Sequence, residues 1–205
     1  MTLRTGFLGL AAALLLSIAP AGLSAGAADT ETAIFAGGCF WCVESDFDHV
    51  KGVTKTTSGY IDGQGENPSY ENSSSRGFRE AVEIEFDPAV VSYDELLKTF
   101  FRTVDPTDAG GQFCDRGHAY STAVYTLGDA QMSEAEAAKA AAGKALDASI
   151  ATEIKPAPQF WPAEGYHQDY YRKNPFRYKY YRFACGRDKR IENLWGKDAH
   201  YGTGS

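Results

Sequence analysis

The sequence predicts an α+β fold: a two-layer sandwich with a split βαβ core, a mixed sheet, and a long irregular C-terminal segment wrapping it. Three observations predict it. Residues 81–86 alternate strictly, with Val82, Ile84 and Phe86 on one face and Glu83 and Glu85 on the other. That is the pattern of a strand buried on one side. Two stretches, 39–50 and 92–104, carry apolar residues at helical spacing. The signals run strand, helix, strand, strand, helix, strand, which is the split βαβ, or ferredoxin-like, order.

Each element has its own reason. Residues 32–36 form a short apolar strand ending in Gly37-Gly38. The next stretch has Val43, Phe47 and Val50 on one helical face, with Glu44, Asp46 and Asp48 suited to an early turn. Gly52 stops it, and 53–58 reads as a strand. Residues 59–79 are rich in Gly, Ser, Asn, Tyr and Pro and read as a long loop, a length that is usually functional or disordered. After the alternating strand, Ser92 and Glu95 make a capping box. The helix behind it buries Leu96, Leu97, Phe100, Phe101 and Val104, and Asp105-Pro106 ends it. A Gly-rich loop runs to about Gly117 and a strand covers 120–127. Ser133 and Glu136 suggest a second capping box before an Ala-rich helix to about Ala148, and 150–154 suits a further strand. After Pro158 the chain turns aromatic and basic, with no internal repeat and no sign of a second domain.

Composition narrows the function. The chain has 205 residues, is 43% apolar and carries a formal charge of −7. It is too apolar to be disordered and too acidic for a general nucleic-acid binder. Four cysteines are too few for a disulfide-built miniprotein, so each needs a separate account.

The first residues read as a signal peptide over 1–27. Arg4 precedes a 12-residue apolar run, Phe7 to Ile18, then Pro20, Gly22 and the small-residue site Ala25-Gly26-Ala27. A bilayer span takes about 20 residues, so an uncleaved anchor is the weaker reading. The expected protein is exported and periplasmic, with residues 28–205 as a single catalytic domain. No stable membrane association and a monomer are expected. Export places its thiols in an oxidising space. Met132 is the one methionine left after cleavage.

Chemistry gathers at Gly37-Gly38-Cys39-Phe40-Trp41-Cys42, between a strand and a helix. A thiol at a helix N-terminus faces free backbone N–H groups and the positive end of the dipole, which predicts a lowered pKa. Cys42 lies one turn later, within reach of a disulfide. A static disulfide or half of a zinc site would use the same pair. Cys114 and Cys185 are too dispersed to complete a four-Cys site, so no metal is expected. Phe40 and Trp41 suit an apolar pocket beside the thiol, or plain packing on the sheet.

These motifs, with several others in order, resemble the peptide methionine sulfoxide reductases of the A type. The matches are Gly-Cys-Phe-Trp-Cys at 38–42, Ser58-Gly59-Tyr60, Asn67-Pro68-Ser69-Tyr70, Arg79-Glu80-Ala81-Val82 and Phe86-Asp87-Pro88. Asp105-Pro106-Thr107, Asp115-Arg116-Gly117 with Tyr120, and Tyr166-His167-Gln168-Asp169-Tyr170 follow. The resemblance spans about Ile34 to Trp195 and implies an α+β sandwich. It implies that Cys39 attacks the sulfoxide sulfur, Phe40 and Trp41 hold the methyl group, and Glu80 protonates the oxygen. Tyr70, Asp115 and Tyr120 would position that oxygen. A sulfoxide oxygen leaves poorly until protonated, so a buried neutral carboxyl suits the task. Attack leaves a sulfenic acid that a second thiol converts to a disulfide. No bound cofactor is implied, only an external thioredoxin-like reductant. The substrate implied is the S epimer, free or in oxidised proteins.

The chain departs from the pattern in places. Many relatives have Gly at the position of Cys42 and resolve with C-terminal cysteines, while a subgroup uses this Cys. Spacing favours Cys42, with Cys185 as second resolver or relay. Cys114 is either a bystander or a partner for Cys185. Ser121 stands where many relatives have Arg, and Phe78-Arg79 where many have His-Arg or His-Ala. The competing reading is a general thiol–disulfide oxidoreductase of the exported space, which leaves Glu80 and the tyrosines without a task.

Overall fold

A computed structural model describes residues 1–2 and 30–204. The expected signal peptide, apart from its first two residues, and its cleavage point lie outside the described residues. Within them the core order is the expected one. Strand β1 (Glu31–Ala36) leads into helix α1 (Phe40–Phe47), then β2 (Val53–Ile61) and β3 (Arg79–Phe86). Helix α2 (Tyr93–Thr103), the short strands β4 (Gly111–Gln112) and β5 (Asp115–Arg116), and β6 (Ala123–Thr126) follow. Helix α3 (Asp129–Leu146), β7 (Glu153–Pro156) and β8 (Trp161–Pro162) complete the sheets.

The main sheet has six strands in the order β7-β6-β1-β3-β2-β8. β3 lies between β1 and β2 and is antiparallel to both, the split βαβ pairing. β6 runs antiparallel to β1, while β7 runs parallel to β6, so the sheet is mixed. Strands β4 and β5 form a separate hairpin.

One face of the sheet carries the main core. Ala33, Phe35, Val82, Ile84, Phe86 and Val124 meet Val43 and Phe47 of α1 and Leu96, Leu97, Phe100 and Phe101 of α2. The expected alternation of β3 is therefore the alternation of this face. Ala135, Ala138 and Ala142 bring α3 onto the same core. The opposite face buries Ile34, Ala36, Ala81 and Tyr125 beneath Phe160. Arg79 is buried there too. Its guanidinium donates to Tyr125 Oη and Asp62 Oδ2, each at 2.9 Å, and to Ser121 Oγ at 2.8 Å.

Several boundaries differ from the sequence reading. β2 runs on to Ile61 because its register with β3 continues to Ile61↔Arg79, which shortens the expected loop. The strand expected over 120–127 covers Ala123–Thr126, and Tyr120 sits in a 3₁₀ turn. The capping box at Ser133 and Glu136 is not a helix start, because α3 begins four residues earlier. Gln131 fixes that start: its side chain accepts from Leu127 N–H and donates to Thr32 O of β1. The irregular C-terminal segment contains three helices: α4 (Tyr170–Lys173), α5 (Pro175–Ala184) and α6 (Arg187–Trp195). Among the described residues, no helix is long and apolar enough to cross a membrane.

The capping box of α2 is present. Ser92 Oγ accepts from Glu95 N–H, and the Glu95 carboxylate accepts from Ser92 N–H. Ser92→Ala should cost about 1 kcal/mol of stability, read as a lowered denaturant midpoint at unchanged slope.

Candidate active site

The site begins where β1 ends. Gly38 has φ +86°, and a Cβ there would stand 2.6 Å from Gln112 Cβ. Glycine is therefore required for the turn. Cys39 follows as the N-cap residue of α1, with extended rather than helical backbone, and its carbonyl accepts from Cys42 and Val43 N–H. Phe40 N–H, one of the donors a helix start leaves free, donates to Glu80 Oε2 at 3.0 Å. Glu80 extends the row Val82–Ile84–Phe86 by one step, so β3 aims it at the helix layer.

A cavity of about 70 Å³ lies at this junction. It is lined by Cys39, Phe40, Trp41, Tyr70, Glu80, Asp115, Tyr120 and Tyr181. Seven of these are the residues the sequence singles out, and Tyr181 is the addition. Larger surface clefts exist, such as one of about 690 Å³ beside α5, but neither reactive thiol lines it.

The aromatic wall is fixed by polar contacts. Trp41 Nε1 donates to His167 Nδ1 at 3.0 Å, and its indole stacks on Tyr170 at 3.7 Å. An indole only donates, so His167 Nδ1 accepts and carries no proton. Burial lowers the His167 pKa, which keeps the ring neutral. Glu164 ties in two tyrosines: Tyr60 Oη donates to Oε2 and Tyr70 N–H to Oε1, both at 2.9 Å.

Burial dominates the charges. Glu80 is pushed up to about 8 by desolvation, against the pull of the Phe40 N–H; the nearby Asp115 carboxylate and Cys42 add to the rise. Glu80 is thus protonated at neutral pH. Cys39 departs from expectation. Burial raises its pKa, with Cys42 and Glu80 adding to the rise, and outweighs the helix start. Cys42 moves the other way, because it accepts the Cys39 S–H and faces the Arg187 and Arg182 guanidiniums. Asp115 is raised by burial although Tyr181 Oη donates to its Oδ2.

The four cysteines divide into two pairs. Cys39 and Cys42 are free and buried. Cys42 packs with Tyr170 and Tyr178 rather than lining the cavity. Cys114 and Cys185 form a disulfide with Cα atoms 4.9 Å apart. Tyr181, His167 and Arg187 are the site neighbours that sequence reasoning missed. His167 stood inside a recognised motif, whereas Tyr181 was one tyrosine among many.

The comparisons decide the lineage. A model of the family "Peptide methionine sulfoxide reductase" matches residues 31–199. Peptide methionine sulfoxide reductase MsrA 2 of Rhizobium meliloti is 54% identical over 181 residues, 88% of this chain and 91% of that one. The chain belongs to the peptide methionine sulfoxide reductases of the A type. This reductase also matches solved structures. Methionine sulfoxide reductase A of Corynebacterium diphtheriae aligns with a TM-score of 0.69 at 33% identity, over 73% of this chain and 77% of that one. Mxr1 of Saccharomyces cerevisiae in reduced form aligns at 0.68 and 30% identity, over 71% and 86%. The family assignment makes this reductase an oxidoreductase acting on methionine sulfoxide, and its α+β fold is that of the solved relatives.

The raised Glu80 pKa has a stability consequence. In the unfolded chain the carboxyl ionises near pH ~4.3, but in the fold it holds its proton to about 8. Its stability contribution is therefore full at low pH and is lost as pH rises between those values. Glu80→Gln keeps an acceptor for Phe40 N–H and does not titrate. Melts from pH 4 to 9 should show the variant gaining on the parent as pH rises, by on the order of a few kcal/mol. Parallel pH curves would contradict a buried neutral Glu80.

Proposed function

We propose that this reductase converts the S epimer of methionine sulfoxide, free or in proteins, to methionine, with Cys39 as nucleophile and Glu80 as acid. The observation that carries the reading is the shared cavity, where a protonated Glu80 is bonded to the N–H beside Cys39. Phe40 and Trp41 supply an apolar wall for the methyl group. Tyr70 and Tyr120 are hydroxyl donors with raised pKa values, so they stay neutral toward the oxygen, while Tyr181 spends its proton on Asp115.

The chemistry balances within the site. The Cys39 sulfur bonds to the sulfoxide sulfur as Glu80 gives its proton to the oxygen. The hydroxyl then passes to Cys39 as the S–O bond to substrate and the new bond between the two sulfurs both break, and the thiol proton restores Glu80. The products are methionine and a Cys39 sulfenic acid. Because the free thiol is held protonated, its attack waits for the sulfoxide to reach Glu80.

Cys42 then attacks the sulfenic sulfur, and the disulfide forms as water leaves. Its lowered pKa and its place one helical turn from Cys39 suit it to this step. A dithiol of the thioredoxin type reduces the disulfide. The proposed setting is the periplasm, with residues 28–205 as a monomeric catalytic domain that needs no bound cofactor. A general thiol–disulfide exchange reading gives Glu80 and the tyrosines no task.

Incubating the protein with dithiothreitol and separated epimers of a methionine sulfoxide peptide tests the reading. The S epimer should disappear and the R epimer persist, and intact S epimer would end the proposal. Glu80→Gln should slow single-turnover reduction by about 10²–10⁴. It should also flatten the decline that the parent shows above about pH 8, where Glu80 gives up its proton.

Cys42→Ser should still release one methionine per protein. With thioredoxin it should turn over at least about tenfold more slowly, since the sulfenic acid loses its nearest thiol. Normal thioredoxin-supported turnover would instead make Cys185 the resolver.

A further inference from the structure

The Cys114–Cys185 disulfide lies outside the cavity, yet its neighbours do not. Cys114 sits with Phe113 at the turn of the β4–β5 hairpin, where Phe113 has φ +55°. Beside that turn, Gln112, the strand partner of Asp115, is fully buried and bonds both Asp105 N–H and Asp105 O. Cys185 sits between α5 and α6.

Three consecutive hairpin residues meet this junction in reverse order. The Arg187 guanidinium lies 4.8 Å from the Phe113 ring centroid. Cys114 bonds to Cys185. The Asp115 carboxylate accepts from Tyr181 Oη. The outer two contacts continue inward. Tyr181 also lines the cavity beside Cys39. Arg187, 2% exposed, donates through Nη1 to Gly37 O at 3.2 Å, and its charge acts on Cys42.

We propose that the Cys114–Cys185 disulfide is a positioning staple that holds Asp115, Tyr181 and Arg187 against the Cys39–Cys42 pair and stays closed during turnover. This rests on the reading of Cys39 and Cys42 as the reacting thiols. The physical argument is leverage. A hairpin with two-residue strands is not stable alone; Gln112 and the Arg116–Asp108 ion pair hold its strands, but across to α5 and α6 the tip has only one hydrogen bond and one cation–ring contact besides the disulfide. A covalent link between those contacts fixes both. Two of the residues it holds, Asp115 and Tyr181, line the cavity. Cys114 is exposed, and a cleft of about 560 Å³ opens onto Phe113 and Cys185. The bridge can therefore be opened from outside, and opening it should loosen the wall without removing a reacting group.

The test is Cys114→Ser/Cys185→Ser, which keeps Cys39 and Cys42, assayed with thioredoxin on the S epimer. The parent is assayed at a thioredoxin level at which alkylation and peptide mapping show its bridge intact. The KM of the double variant should rise about tenfold, with kcat within about threefold. The basic limb of its pH profile should move to lower pH, because the Asp115 charge is no longer held beside Glu80. Each single variant should behave like the double, and Tyr181→Phe should cost less in the double variant than in the parent.

An unchanged KM and pH limb would overturn the staple. So would loss of thioredoxin-supported turnover at a normal dithiothreitol rate, which marks a relay, or a parent bridge that opens in every cycle. If the variants do not fold, the parent is assayed across rising reductant. KM should step up where the bridge opens, and a flat KM across that point sinks the proposal. Failure of the parent to reduce the S epimer is a different result, which defeats the reading of the site itself.

Discussion

The bond from Phe40 N–H to Glu80 Oε2 is the contact on which the site depends. It joins the start of α1 to the start of β3, forty residues apart in sequence. The helix start has a donor without a partner, and the strand brings a carboxyl with no water around it. Each group satisfies the other. Cys39, as the N-cap residue, is then held beside an acid that burial keeps protonated. The bond pulls the Glu80 pKa down while desolvation pushes it up, and desolvation wins.

The topology makes that meeting unavoidable. β1 and β3 are neighbours with Phe35 opposite Val82. Continuing the register places Glu80 level with Gly37, where β1 gives way to the Gly-Gly turn. The split βαβ connection sets α1 over the same end of the sheet. The glycines are a steric consequence, since Gln112 occupies the space a side chain at 38 would need. The polar start of β3 thus belongs to a core strand, and its first inward residue is a titrating group instead of another valine or isoleucine.

Much of this was legible in the residues. The alternation of 81–86 and the capping box of α2 are local signals, and local signals survive folding. The cavity residues were named because their motifs are specific, and seven of them converge. The missed parts depend on tertiary structure. The start of α3 is set by Gln131 bonding across to β1, which outweighs the capping pattern at Ser133 and Glu136. The C-terminal helices were hidden by aromatic residues on every side. On α5, Tyr178 is buried while Phe176, Tyr180 and Phe183 are exposed, so no apolar stripe marks a face. Tyr181 was invisible for the same reason.

The pKa of Cys39 shows why composition cannot replace burial. A helix N-terminus contributes a fraction of a charge, whereas removing a thiolate from water costs far more. The sequence places the thiol at the helix start, but only the packed structure shows α5 closing over this end of α1, with Tyr178 packed against Cys42 and Tyr181 lining the cavity beside Cys39. The aromatic C-terminal segment is therefore part of the electrostatics of the site. It dries the two inner sulfurs while leaving Cys114 in contact with solvent. The two cysteine pairs end in different surroundings, one free and buried and the other bridged with Cys114 exposed, and packing rather than sequence spacing sets that difference.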